Sequence, residues 1–138
     1  MLPKWHVLLG FVFSYIIYWF SSMTIFQASL IFLASIFIDV DHYFWYGFKK
    51  KDWNLKNAFY WNKALPKNHK PIMHIFHTVE FLLLVAILVY FFNPFLFILI
   101  GILLHSALDL IEIFYNKKIG CREFWLIRYL IYDKKKYF

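Results

Sequence analysis

One cysteine, Cys121, is all that the 138 residues offer. An intrachain disulfide is therefore excluded, as is a cysteine-rich zinc module, and nothing calls for an oxidising compartment. Charge is scarce too: 17% of the residues are Asp, Glu, Lys or Arg, where a soluble domain has about a quarter. With 62% hydrophobic and 25% aromatic residues and a mean hydropathy of +0.57, a water-soluble single-core domain is excluded. Disorder is excluded as well, since it requires low hydrophobicity. No repeat or low-complexity tract divides the chain, so one transmembrane domain over residues 1–138 is expected.

The lack of charge is concentrated. From Val7 to Ile38 there is no charged residue in 32 positions, which is longer than one span of about 20 residues and short of two full ones. Ser21-Ser22 marks the hairpin and gives spans at about 5–20 and 23–43. Pro71, suited to a first helical turn, opens a third span at about 71–92. Asn93-Pro94 turns the chain into a fourth at about 94–115. The expected fold is all-α: four transmembrane helices, with interfacial amphipathic segments in the loop between spans two and three and in a tail at 119–138. Lys4 ahead of a short apolar core also fits a signal peptide, but no A-x-A-like site follows and a second apolar segment comes at once.

Spans two to four lack Lys and Arg, and two of the three turns lack them as well. Lys4 precedes span one. Lys49, Lys50, Lys51, Lys56, Lys63, Lys67 and Lys70 lie between spans two and three, and Lys117, Lys118, Arg122, Arg128, Lys134, Lys135 and Lys136 follow span four. All fifteen basic residues thus fall on one side of a four-span topology. The positive-inside rule puts that side, with both termini and the loop Gly47–Lys70, in the cytoplasm, as in a prokaryotic-type inner membrane. The net charge of +7 is then explained by topology and by anionic lipid headgroups as partners; nucleic acid is not needed. Trp53, Phe59, Tyr60 and Trp61 among the loop lysines, and Phe124, Trp125, Leu126, Ile127, Leu130 and Ile131 around Arg122 and Arg128, suit short helices in the headgroup layer.

What the spans do contain is acid and imidazole. Of eight acids, Asp39, Asp41, Glu80, Asp109 and Glu112 sit in or at the ends of apolar spans, with His42, His74, His77 and His105. Each intramembrane carboxylate costs about 2.5 to 3.5 kcal/mol even on a mild insertion scale, so these five need positive charge from protons or metal ions. Spacing favours metal. His105, Asp109 and Glu112 step by four and three along span four, His74, His77 and Glu80 by three along span three, and Asp39 and His42 by three at the end of span two. Facing helices that present carboxylate and imidazole are how bundle-core metal sites are made. At about 1.5 Å per residue all three seams fall in the cytoplasmic half of a ~30 Å core. Asp41 alone reads equally as a cap, His69 as ordinary loop and His6 as an interfacial side chain.

Three motifs in order carry a family resemblance: D-V-D-H at 39–42, H-K-P-I-M-H at 69–74 and G-I-L-L-H-S-A-L-D at 101–109. Over about residues 35 to 110 the chain resembles the prokaryotic family of small membrane-bound, metal-dependent hydrolases of the LexA-binding type. That family's pattern is D-x-D-H, then H-R-x-x-T-H-S, then G-x-x-x-H-x-x-x-D. The resemblance implies metal positions at Asp39, Asp41, His42, His69, His74, His105 and Asp109. H-T-V-E at 77–80 adds His77 to the same seam.

The expected function is therefore a membrane-embedded hydrolase with one or two divalent metal ions. Zinc comes first, and manganese or iron also suits the same donors. Glu80 or Glu112 is the expected general base or partner of a liganding histidine. A site just below the headgroups suits a membrane lipid as substrate, and the expected reaction is hydrolysis of its phosphoester, with Lys70, Arg122 and Arg128 holding the phosphate. The rivals are a metal or proton transporter, a di-iron lipid desaturase or hydroxylase, and an adaptor whose seams only glue helices. The second lacks the adjacent histidine pair of its boxes. Five carboxylates are excessive for the third, since interhelical hydrogen bonds average about 0.6 kcal/mol.

Overall fold

The computed structural model describes residues 3–66, 71–116 and 119–131. The chain is mostly helical and all-α in class, and its contacts divide it into two compact units, Met1–Ile38 with Leu82–Glu112, and Asp39–Phe81 with Ile113–Phe138.

The first unit is built on helices α1 (Pro3–Phe20) and α2 (Ile25–Phe37), which pack as a hairpin. The turn at Ser21-Ser22 is where the sequence places it. Thr24 starts α2 through a capping box in which its Oγ1 accepts the Gln27 N–H and the Gln27 side chain accepts the Thr24 N–H. The unit also holds most of α5 (Val79–Phe91) and α6 (Pro94–Tyr115), the latter with the expected bounds of span four. Gly101 lets α6 lie against the backbone of α2: a Cβ there would meet the Ile31 carbonyl oxygen and Ala34.

Polar side chains share the interior of this unit with buried Ile31, Val85 and Ile102, and many large apolar ones lie outside. His6, Ser14, Ser35, His105 and Asp109 are buried, whereas Phe11, Tyr15, Trp19, Phe26, Leu84, Ile87 and Ile111 are exposed. Small and polar residues inside with bulky apolar ones outside is the packing of helices in lipid. The helical run Ile25–Lys50 and α6 are long and apolar enough to cross a membrane; Trp5–Phe20 and Val79–Phe91 are shorter.

The second unit opens with α3 (Val40–Lys50), which continues the run of α2 after a tight turn at Ile38-Asp39, so the helix extends seven residues beyond the Tyr43 end expected for span two. Lys51, at φ 54°, ends it in the left-handed region. Asn54 then caps α4 (Leu55–Ala64), the short loop helix expected from the aromatic and lysine content. Gly47 sits so close to the Trp53 ring that any side chain would collide with it, which folds α4 back on α3.

Span three differs from expectation. Pro71 does not begin a helix: Ile72–Met73 is a strand (β1), Ile75–His77 a 3-10 turn, and α5 starts at Val79. Thr78 decides the start, because its Oγ1 accepts the N–H of Phe81 and donates to the Ile75 carbonyl. The irregular stretch finds partners elsewhere. β1 pairs in parallel with β2 (Arg122–Glu123), Ile72 opposite Arg122 and Met73 opposite Glu123, ahead of a short helix α7 (Leu126–Ile131).

Candidate metal centres

The second unit gathers Asp39, Asp41, His42, His74 and His77. Asp39 stands at the N-cap position of α3 but makes no side-chain cap. Its Oδ1 lies instead 3.4 Å from His42 Nε2 and 3.8 Å from His77 Nε2. Asp41, in the first turn of α3 and 5% exposed, is the hub. Its Oδ2 accepts the Phe76 N–H at 3.0 Å and faces His77 Nδ1 at 3.1 Å, while its Oδ1 is 3.7 Å from His74 Nδ1 and 4.0 Å from His42 Nε2. The reading of Asp41 as a plain cap is corrected: what faces it is three imidazoles.

An ionised carboxylate only accepts, so a proton on His77 Nδ1 is what this contact with Asp41 calls for. The His42 and His74 rings stack at 3.6 Å, which brings two imidazoles against the same carboxylate oxygen. Among the described residues, Asp41 Oδ1 and His42 Nε2 are buried and find no hydrogen-bond partner. Buried oxygen and nitrogen atoms in that condition are costly unless something bridges them.

A divalent cation fits. Ligand atoms from Asp41, His42 and His74 all lie within 4.8 Å of one another. A tetrahedral zinc with bonds of about 2.0 to 2.1 Å needs its ligand atoms about 3.3 Å apart, and Asp41 Oδ1, at 3.7 Å from His74 Nδ1 and 4.0 Å from His42 Nε2, reaches that with shifts of about 0.4 to 0.7 Å. Two carboxylates with three neutral imidazoles also carry the −2 that one such ion cancels. These buried His and Asp groups can hold a metal ion.

The first unit holds a second cluster. His105 on α6, 1% exposed, faces the Ser35 carbonyl through Nδ1 at 2.7 Å. A carbonyl can only accept, so the proton is on Nδ1, and Nε2 points its lone pair toward Asp109 Oδ2 at 3.6 Å. Fixing the tautomer of a liganding histidine with a carbonyl is the usual outer support of metal sites. His6 completes the group. It is 4% exposed, its Nε2 is 3.3 Å from Asp109 Oδ1, and its ring stacks on His105 at 4.3 Å. Ligand atoms of His6, Asp109 and Glu112 lie within 4.8 Å of one another.

The interfacial reading of His6 is thereby corrected. The missed signal is the spacing His6, Gly10, Ser14, a small and polar stripe at four-residue steps. Gly10 packs on Ser35 and Ser14 Oγ donates to the Gly10 carbonyl, so this is the buried face of α1.

The remaining expected residues part company. The two oxygens of Glu80 accept the N–H groups of Leu126 and Ile127, each at 3.0 Å. The helical spacing that put it on a seam with His74 and His77 does not exist, because α5 begins only at Val79. Arg122 lies on β2, opposite Ile72. Arg128 is exposed and 3.9 Å from the buried Glu123. His69 and Lys70 lie outside the described residues. Comparison with protein-family models, with curated proteins and with solved structures finds no match.

Proposed function

We propose that the chain is a metal-dependent hydrolase of the membrane, akin to the family its three motifs resemble, that cleaves a phosphoester of a lipid or lipid-linked substrate from the cytoplasmic interface. The observation that carries the reading is the convergence of Asp41, His42 and His74 on one buried point with Asp39 and His77 beside it. When bound, zinc or a similar ion supplies positive charge and lowers the pKa of water toward ~7, so that water becomes a nucleophile at neutral pH.

The chain's own residues do the rest. Asp41, His42 and His74 hold the ion, and His77 is oriented by its proton on Asp41. Asp39, whose side chain is 34% exposed where that of Asp41 is 5% exposed, is the carboxylate that water can reach, and it takes the proton in place of Glu80. Arg122, on β2 opposite Ile72 and beside the stretch that carries His74, holds the phosphate. In the first unit His6, His105, Asp109 and Glu112 hold a second ion. α1 and α5 join α2 and α6 of the same unit as membrane spans, four in all. The exposed Trp53, Leu55, Phe59 and Tyr60 and the lysines around them, with Lys49 over the Trp61 ring at 6.0 Å, rest in the headgroup layer.

The test is turnover. Protein reconstituted with zinc or manganese in mixed phospholipid and lipid-phosphate vesicles should release phosphate or a soluble headgroup, and EDTA should stop it. Asp39→Asn should keep the metal and lose about a hundredfold to ten-thousandfold in rate, the range of general-base catalysis. Intact lipid, with metal or protons crossing sealed vesicles instead, would replace the hydrolase with a transporter.

A further inference from the structure

His74 and His77 are carried by the irregular stretch Pro71–Thr78, which has no helix to hold it. Its shape is set from both ends by one partner, residues 122–131. At the leading end β1 pairs with β2, so Met73, the residue before His74, is registered against Glu123. At the trailing end the Val79 N–H donates to the Phe124 carbonyl at 3.0 Å, and Glu80 accepts from Leu126 and Ile127. Between the two ends, buried Met73 packs on buried Tyr129, with Leu126 and Trp45 against them. Trp45 belongs to α3, the helix that supplies Asp41 and His42, and its ring meets the Tyr129 ring edge-on at 6.2 Å. Segment 122–131 therefore touches both the stretch bearing His74 and His77 and the helix bearing Asp41.

From this we infer that segment 122–131 is a clamp that positions the second unit's metal centre, and that Glu80 is its latch and a positioning residue. The inference rests on the metal reading above. Without the latch the His74–Thr78 turn loses its fixed exit, and the two imidazoles no longer have to meet Asp41 with the stacking and hydrogen bonding they show. Groups that act by orienting ligands typically alter metal affinity by about 10- to 100-fold when removed, and that is the expected size here.

The clamp can be cut from either side. Glu80→Ala removes both acceptors, and Glu80→Gln retains one. Leu126→Pro removes one donor at the first position of α7, where proline is tolerated. The whole protein in mild detergent is titrated with Zn²⁺ against a chelator, and the ligand-field spectrum of its Co²⁺ form is recorded beside far-ultraviolet dichroism. Glu80→Ala should bind zinc about 10- to 100-fold more weakly, with an altered cobalt spectrum and unchanged helicity. Glu80→Gln and Leu126→Pro should lie between it and the wild type, and adding Leu126→Pro to Glu80→Ala should cost less than it does in the wild type, because the bond is already gone and only the packing of Leu126 on Met73 and Tyr129 is left to lose. Loss of helicity alone would leave the cobalt spectrum of the bound fraction unchanged, and that pattern refutes the clamp. Wild-type affinity and spectrum in both Glu80→Ala and Leu126→Pro, while Asp41→Asn loses metal, would overturn the clamp and spare the metal centre. A wild type that binds neither ion would overturn both.

Discussion

Asp41→Asn isolates the charge at the hub of the cluster. Asparagine has nearly the same shape, and its Oδ1 still accepts the Phe76 N–H that Asp41 Oδ2 accepts at 3.0 Å. The same oxygen accepts the His77 Nδ1–H, so the local fold without metal loses no more than the charge assistance of these bonds, about 1.5 to 3 kcal/mol. The metal fares worse. Asp41 Oδ1 faces His74 Nδ1 at 3.7 Å and His42 Nε2 at 4.0 Å, and replacing it leaves two imidazoles with a neutral third donor. Removing groups that merely orient ligands already costs up to about 100-fold, so a ligand should cost at least that. With Zn²⁺ at 100 times the wild-type Kd, the wild type gains about 2.7 kcal/mol from binding, whereas a variant bound 100-fold more weakly gains about 0.4 kcal/mol. At roughly 4 °C per kcal/mol for a chain of this length, the zinc-induced rise in Tm should be about 9 °C smaller in the variant. Thermal dichroism in detergent at fixed zinc, with an EDTA-treated control, reads the difference. An equal zinc-induced rise in both proteins would refute the reasoning, since it would mean that the stabilising ion does not touch Asp41.

Gly101→Ala should destabilise the first unit by about 1 to 3 kcal/mol, the cost of overpacking, because its Cβ meets the Ile31 carbonyl oxygen, which cannot step aside. Gly10→Ala meets the movable Ser35 hydroxyl and should cost less, and thermal unfolding that ranks the two the other way would contradict this packing. The Asp52 carboxyl is held below its usual 3.8 first by the Tyr46 hydroxyl, then by Asn57 and the Asn54 N–H. Because the folded value is the depressed one, its support of the α3–α4 loop is complete above 3.8 and is lost as the pH falls through that depressed value. Tryptophan fluorescence followed through this range should show a transition that Asp52→Asn lacks, and identical titrations would argue against the role.

How far the sequence could be read depended on whether the cause was local. The limits of α6 follow from Asn93-Pro94 and a long, mostly apolar run, and both are local. Capping by Thr78 is local as well, and T-V-E-F at 78–81 carries it, but Pro71 offered an equally ordinary start seven residues earlier. Pairing decided against Pro71: β1 finds its partner some fifty residues away in β2, a contact that no spacing rule anticipates. The same is true of Glu80, whose acceptors are taken by Leu126 and Ile127. His6 was within reach, since it begins the stripe that continues through Gly10 and Ser14; reading it as an interfacial side chain put its position near the start of a span ahead of its spacing. The carboxylates and imidazoles of 39–42 and 74–77 were singled out because acids in apolar surroundings demand a counter-charge, and that argument does not depend on which secondary structure carries them.

The central claim is that the buried acids and histidines are there for metal. Elemental analysis of protein purified in mild detergent, without a metal-affinity tag and without added metal, tests it most directly. The account predicts at least one transition-metal ion per chain, zinc foremost, reduced when His42 and His74 are both changed to alanine. A chain that emerges folded, monodisperse and free of transition metal would contradict it.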